Sequence, residues 1–249
     1  MRVRAARIQA MIEREVDLTT SDGEMKTFVL HPEHDGPHPV VLYLMDAPSI
    51  RPALKDMASR LASAGYYVLL PYLFYRGGPF REFGKSDEDM HARGELMGTV
   101  TPTNIVGDAE TLLAFADADP AARGGKVGAV GFCMSGGLAI SLARALPDRV
   151  AAAASIHGAW LVRDMPDSPH LDLDPVQAEI YFAWVDNDPT APPDTIPPMR
   201  AALDGAGITY TLDFLPGALH GFAPAGERYD RYASELHWER VHSLLRRTL

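Results

Sequence analysis

Residues 130 to 137 read Val-Gly-Phe-Cys-Met-Ser-Gly-Gly, and what lies on either side of them decides the fold. Upstream, Lys126 to Val130 (Lys-Val-Gly-Ala-Val) is a short apolar run of strand composition. Downstream, Leu138, Leu142 and Leu146 repeat at the four-residue spacing of one helix face. A strand therefore turns sharply into a helix at Cys133. Gly131 ahead of the corner, with Gly136 and Gly137 behind it, removes the β-carbons that would crowd it. A turn of this kind, usually written Gly-x-Ser-x-Gly, lifts one reactive side chain above the end of a sheet strand. Here the reactive atom is the Cys133 sulfur. Met134 opens the helix, so its backbone N–H is free to face a developing oxyanion. Two readings compete with a nucleophilic cysteine: a lone Cys is often just a small buried hydrophobe, and Ser135, where the pattern usually has Gly, is a rival nucleophile.

At 249 residues, with 47% hydrophobic and 22% charged residues, the chain has the composition of a soluble globular enzyme. Nothing in it reads as a linker. Residues 1–249 are expected to form one domain, with 1–14 as an N-terminal arm or short helix. No apolar run approaches the ~18 residues needed to cross a membrane. The basic start, Met-Arg-Val-Arg-Ala-Ala-Arg, leads into Glu13, Arg14 and Glu15 rather than an apolar core and cleavage site. A single cysteine excludes an intramolecular disulfide and suits a reducing compartment, so the expected location is the cytoplasm. A net charge of −10 argues against a nucleic-acid partner.

Glu15 to Thr20 and Lys26 to Leu30 read as two strands joined across Ser21-Asp22-Gly23, a hairpin at a sheet edge. His31, His34 and His38 follow in a Pro- and Gly-containing stretch. Without an accompanying acidic or sulfur pattern they read as a connector rather than a metal site. Pro39 to Met45 is a near-continuous apolar run, as in a strand covered on both faces, and it ends at Asp46. Strand and helix then alternate. Helices are expected over Pro52–Ala64, Asn104–Ala118, Asp194–Ala206 and Tyr229–Arg247, and strands over Tyr66–Pro71, Val150–Ile156, Glu179–Val185 and Ile208–Leu215. Such alternation implies an α/β fold: a mostly parallel sheet of about seven to eight strands, flanked by helices on both faces, with ligands outside the carboxyl ends of the strands.

Each late strand ends in a group able to serve acid–base chemistry. Asp186, Asn187 and Asp188 follow Glu179–Val185, and His220, in His220-Gly221-Phe222, follows Ile208–Leu215. Nucleophile, acid and base in that chain order is the order of α/β-hydrolases. His157, before Gly158, competes as the base but lies between nucleophile and acid. Asp186 and Asp188 are both open as the acid. In such a set the imidazole holds the thiol proton while the carboxylate fixes its tautomer and stabilises the imidazolium.

Over most of its length the sequence resembles the dienelactone hydrolase family of α/β-hydrolases. The resemblance rests on Ser21-Asp22-Gly23, Ala64-Gly65-Tyr66, Leu73-Phe74-Tyr75-Arg76, Gly131-Phe132-Cys133-Met134 and His220-Gly221-Phe222. It implies an α/β-hydrolase fold and a Cys–His–Asp triad that opens a small ester or lactone through an acyl-thioester. The triad would be Cys133, His220 and Asp188, with Asp188 preferred to Asp186 by its place in the strand-end turn. It also implies a carboxylate at Asp46 that holds and activates the resting thiol, and a second oxyanion N–H at Ala47. The sequence departs from the family at three points. Asp46 stands where the family carries Glu, a reach about 1.5 Å shorter. Pro224 stands where an arginine binds the substrate carboxylate, and Tyr72 interrupts the usual Pro-Asp-Leu. The expected substrate is therefore a small-molecule ester or lactone other than a dienelactone.

Arg51, Arg76 and Arg81 lie in loops near the expected sheet mouth, and Arg76 is the preferred contact for an anionic substrate. Tyr43, Tyr72, Phe74 and Trp160 are candidates for the pocket wall or the core. Two other functions fit the same residues. One is a general carboxylesterase or thioesterase with a different physiological substrate, with Ser135 as a variant nucleophile. The other is a non-catalytic thiol sensor in which Cys133 is oxidised. No Gly-rich phosphate loop or metal-ligand cluster is evident, so no cofactor or metal is expected. The edge hairpin and last helix are compatible with a monomer or a homodimer.

Overall fold

A strand with no polar face needs cover on both sides, and the Val-Val-Leu-Tyr-Leu run of β3 (His38–Leu44) is buried throughout. In a computed structural model, which describes residues 10–249, an eight-stranded sheet and its helices supply that cover. The remaining strands are β1 (Met11–Thr20), β2 (Gly23–Pro32), β4 (Tyr67–Pro71), β5 (Ala122–Phe132), β6 (Val150–Ile156), β7 (Glu179–Val185) and β8 (Tyr210–Leu215). The helices are α1 (Pro52–Ser63), α2 (Asp87–Met97), α3 (Asn104–Asp117), α4 (Gly136–Ala145), α5 (Ile196–Gly205) and α6 (Arg231–Thr248).

The strands lie in the order β1-β2-β4-β3-β5-β6-β7-β8. β2 runs antiparallel to β1 and β4, and every other pairing is parallel. Gly128 of β5 faces Leu245 of α6, whereas Gly131, three residues on and so on the opposite face, meets the start of α4. On the α6 side, α1 is tied to α6 by an Arg60–Glu235 ion pair at 2.8 Å. From β3 the chain crosses to β4 on one side, and it later re-enters the sheet as β5 on the other. The strand order therefore reverses between β3 and β5, which is where open α/β sheets bind ligands. The residues just past β3, β5, β6, β7 and β8, five neighbouring strands, all emerge at that end.

Two elements differ from the sequence expectation. Met11 to Arg14, expected in an irregular arm, extend β1 and pair with Pro32 to Val29 of β2. Met11 and Ile12 are half-buried and Glu13 and Arg14 exposed at the sheet edge, so no apolar alternation marks the four as strand. Residues 1–9 of the expected arm lie outside the described residues. Helix α2 was not expected at all, and no residue in it is buried, so it has no apolar stripe to find. Its signal is at the start: Ser86 accepts a hydrogen bond from the Asp89 N–H at 3.1 Å, and Asp87, Glu88 and Asp89 occupy the first turn. Among the described residues no helix is long and apolar enough to cross a membrane.

Candidate active site

The corner after β5 holds Cys133 in the left-handed region, at φ +53°. Such a backbone costs ~1–3 kcal/mol and persists only where its surroundings enforce it. They do so here. A β-carbon at Gly131 would run into the Ser135 carbonyl, and one at Gly136 would stand 2.5 Å from Ser155 Oγ and 2.6 Å from Gly158 Cα. The Ala159 N–H donates to the Cys133 carbonyl at 2.9 Å. Ser135 is fully buried; its Oγ accepts from the Phe132 N–H at 2.9 Å and lies 3.0 Å from the Leu44 carbonyl, tying the corner to β3. The rival hydroxyl is therefore turned into the fold, while the Cys133 sulfur is partly exposed.

Asp188 and His220 meet at the ends of β7 and β8. Asp188 Oδ2 lies 2.5 Å from His220 Nδ1, and its other oxygen accepts from the Thr190 N–H at 2.8 Å and the Thr190 hydroxyl at 2.6 Å. Asp186 does not contact the imidazole; it accepts from the Gly217 N–H at 3.0 Å and so braces the loop that carries His220. Burial pushes the Asp188 carboxyl up, but the hydrogen bonds from His220 and Thr190 hold it below the ordinary value. Burial likewise opposes charge on His220. The hydrogen bonds to Asp188 and to the Cys133 sulfur outweigh it, with the charge of each, and push His220 up to about 10. The ring is thus held in its protonated form, with the Asp188 carboxylate behind it and Cys133 on the wall of the same cavity.

His157 stands beside this pair, its ring centroid 5.0 Å from that of His220. Neither of its ring nitrogens has a hydrogen-bond partner. Burial first, then the charge on His220, holds it well below its ordinary value. Unlike His220, it has no carboxylate partner among the described residues.

Cys133, His220, His157, Asp46 and Ala47 line one cavity of about 450 Å³. The Ala47 N–H has no acceptor among the described residues. Asp46 is buried, and both its oxygens are bound by Arg51, at 2.6 and 2.9 Å. Among the described residues no hydrogen bond joins it to Cys133. Arg51, Lys85, Arg93 and Arg228 complete a cationic wall, in which Lys85 pairs with Glu227 and Arg228 donates to the His220 carbonyl at 3.3 Å.

Arg76, the preferred arginine of the sequence reading, is placed away from that cavity. Its guanidinium is bound by Asp108, at 2.8 and 3.0 Å, and by Asp22 at 2.7 Å, and it stacks 4.5 Å from the Tyr75 ring. It latches the β1–β2 turn to α3 and does not line the Cys133 cavity. Arg81 contacts Asp89 and is also outside that cavity. Of the three arginines, Arg51 is at the site. Arg93 and Arg228 were missed, and only the cap at Ser86 could have pointed to the helix that carries Arg93. Tyr43, Tyr72 and Phe74 are buried in the core, whereas Trp160 is exposed on the wall of a second cavity. His31 and His38 both bond the Pro32 carbonyl, at 2.8 and 3.1 Å. Among the described residues no group of three or more His, Cys, Asp or Glu is placed to hold a metal ion.

The profile of the "Dienelactone hydrolase family" matches residues 25–249. A Synechocystis protein named "Putative carboxymethylenebutenolidase" is 26% identical over 238 residues, covering 94% of this chain and 96% of its own. The structure of a "Putative Dienelactone Hydrolase" from Klebsiella pneumoniae superposes with a TM-score of 0.83 at 22% identity, over 94% of this chain and 98% of its own. A "Dienelactone Hydrolase-like" promiscuous phosphotriesterase from metagenomic libraries gives 0.76 at 22% identity, over 96% of this chain and 99% of its own. At these identities the structural likeness carries the fold, which is that of the α/β-hydrolases.

Proposed function

The chain belongs to the dienelactone hydrolase family, and from that premise we propose that it hydrolyses a small carboxylic ester or lactone through Cys133, His220 and Asp188. The observation that carries the reading is the 2.5 Å contact of Asp188 with an imidazole that is pushed up to about 10 and lines the same cavity as Cys133. A cysteine beside such an imidazolium is the arrangement that suits a thiol nucleophile.

The sulfur attacks the acyl carbon, and the carbonyl oxygen takes the negative charge between the N–H groups of Met134 and Ala47. Attack consumes the thiolate charge that supported His220, so the imidazolium becomes a stronger acid when a donor is needed. Collapse breaks the bond to the leaving oxygen, which takes the proton from His220 Nε2. The neutral imidazole then removes a proton from water as its oxygen attacks the thioester, and the second collapse releases the acid and restores the thiolate. Asp188 holds His220 Nδ1–H throughout, keeping Nε2 toward the sulfur.

Asp46, with both oxygens on Arg51, is proposed to position that guanidinium at the cavity wall rather than to take the thiol proton. A carboxylate one methylene longer would reach further toward the sulfur. Arg93 and Arg228, which face the same cavity without a carboxylate partner among the described residues, favour a substrate carrying a negative charge. The expected reaction is carried out by the chain's own side chains in the absence of added cofactor.

The test is hydrolysis of p-nitrophenyl acetate and a panel of small lactones by the wild type and by Cys133→Ala. Turnover that disappears in the variant supports the reading. Turnover that survives moves the chemistry to another group, and a thiol that alkylates readily in a protein with no turnover on any panel member favours a sensor.

A further inference from the structure

A second cavity, of about 350 Å³, lies beside the Cys133 cavity, and three stretches of chain each supply a residue to one and a near neighbour to the other. Arg93 and Met97 are one turn apart on α2, Cys133 and Met134 are consecutive, and His157 and Ala159 are two apart. The two cavities are therefore built on neighbouring positions of the same stretches, with Cys133 on the wall of the first and Met134 on the wall of the second.

They differ in charge. In the first, Arg51 and Lys85 are paired with Asp46 and Glu227, and Arg93 and Arg228 have no carboxylate partner among the described residues. The second is walled by Met97, Val100, Met134, Leu138 and Trp160, and the cation on its wall, Arg163, is paired with Asp167 at 3.0 Å. Trp160 is 43% exposed, a large apolar surface left facing this space. It is also held firmly: its N–H donates at 2.8 Å to the carbonyl of Thr190, the residue that fixes Asp188.

We propose that the second cavity is an acyl pocket: it takes a neutral apolar acyl group, a short alkyl chain or a single aromatic ring. The anionic leaving half of the same ester then sits among the arginines of the first. The inference rests on the proposed roles of Cys133 and His220. His220 must reach the leaving oxygen, and it lines the first cavity and not the second. Cys133, which holds the acyl carbon, lines the first cavity too, so the leaving half occupies that cavity and the acyl chain extends from Cys133 past Met134 into the second.

The test is a series of p-nitrophenyl esters from acetate to hexanoate, in which the leaving group is constant and only the acyl chain grows. In the wild type kcat/KM should rise roughly fourfold per added methylene until the cavity is filled, the factor that burying one methylene supplies. Val100→Trp, which fills the cavity, should flatten or invert the butyrate-to-acetate ratio, and Trp160→Ala, at an exposed position, should lower it. A flat series in the wild type, or a slope that both variants keep, would overturn the proposal. Loss of acetate turnover in Cys133→Ala reports the proposed chemistry separately from this ratio.

Discussion

Arg51 closes on both oxygens of Asp46, at 2.6 and 2.9 Å, in the cavity that Cys133 faces. The carboxylate is almost wholly buried and the guanidinium is 22% exposed, so neither is free to leave the other at no cost. Arg51→Ala would strand a buried charge. A destabilisation of about 2 kcal/mol is expected, less than the ~3–5 of a fully buried pair because Arg51 keeps some contact with water. In a domain of this size that is a fall in Tm of roughly 5 °C, read by calorimetry.

The Asp188–His220 pair makes stability depend on pH with a defined sign. His220 is raised from 6.5 to about 10 in the folded state, so its contribution is full below 6.5 and disappears as pH rises through about 10. Asp188 is lowered, so its contribution is present above its ordinary value of about 3.8 and is lost as pH falls through the lowered one. Urea unfolding of the wild type and of His220→Gln between pH 6 and 10.5 should show a stability gap that is largest at the acid end of this window and closes toward its alkaline end. A gap that widens with pH would place the proton elsewhere.

Arg76 is expected to matter for stability and not for the reaction. Arg76→Ala leaves the buried Asp108 carboxylate with only the Tyr75 hydroxyl, at 2.6 Å, as partner. Tm should fall, while kcat/KM for p-nitrophenyl acetate changes by less than about twofold. A large rise in KM with Tm unchanged would restore Arg76 to the substrate.

Ser135→Ala removes the hydroxyl that joins the corner to β3. Loss of about 1–3 kcal/mol is expected from the buried N–H of Phe132 left unpaired. Some activity should remain, because the hydroxyl faces the fold.

Arg93→Ala and Arg228→Ala should each lower the ratio of kcat/KM for 4-acetoxybenzoate over p-nitrophenyl acetate. A fall of roughly fivefold corresponds to the ~1 kcal/mol of one partly exposed charge contact.

How much of this is legible in the sequence follows from the range of the forces involved. The corner at Cys133 is written locally, in Gly131, Gly136 and the flanking apolar runs. β6 and β7 fall where the runs Val150–Ile156 and Glu179–Val185 predict, because a buried strand carries its own pattern. Helix α2 does not, since its surface is polar all round and only its cap is distinctive. Arg76 is misread for a related reason: its direction depends on Asp108, 32 residues on, and Asp22, 54 residues back. Asp186 and Asp188 share one turn and one chemistry. The pairing of Asp188 with His220 is set by Thr190 and by the loop after β8, neither of which the turn itself reveals.

The most direct measurement is intact-protein mass spectrometry of the enzyme mixed with p-nitrophenyl acetate and quenched in acid within a single turnover, followed by peptide mapping. An added acetyl group on Cys133 in the wild type, accumulating in His220→Gln where the thioester is not hydrolysed and absent from Cys133→Ala, is the predicted result. An adduct on Ser135 or another residue, or turnover with no adduct at any time, would contradict it.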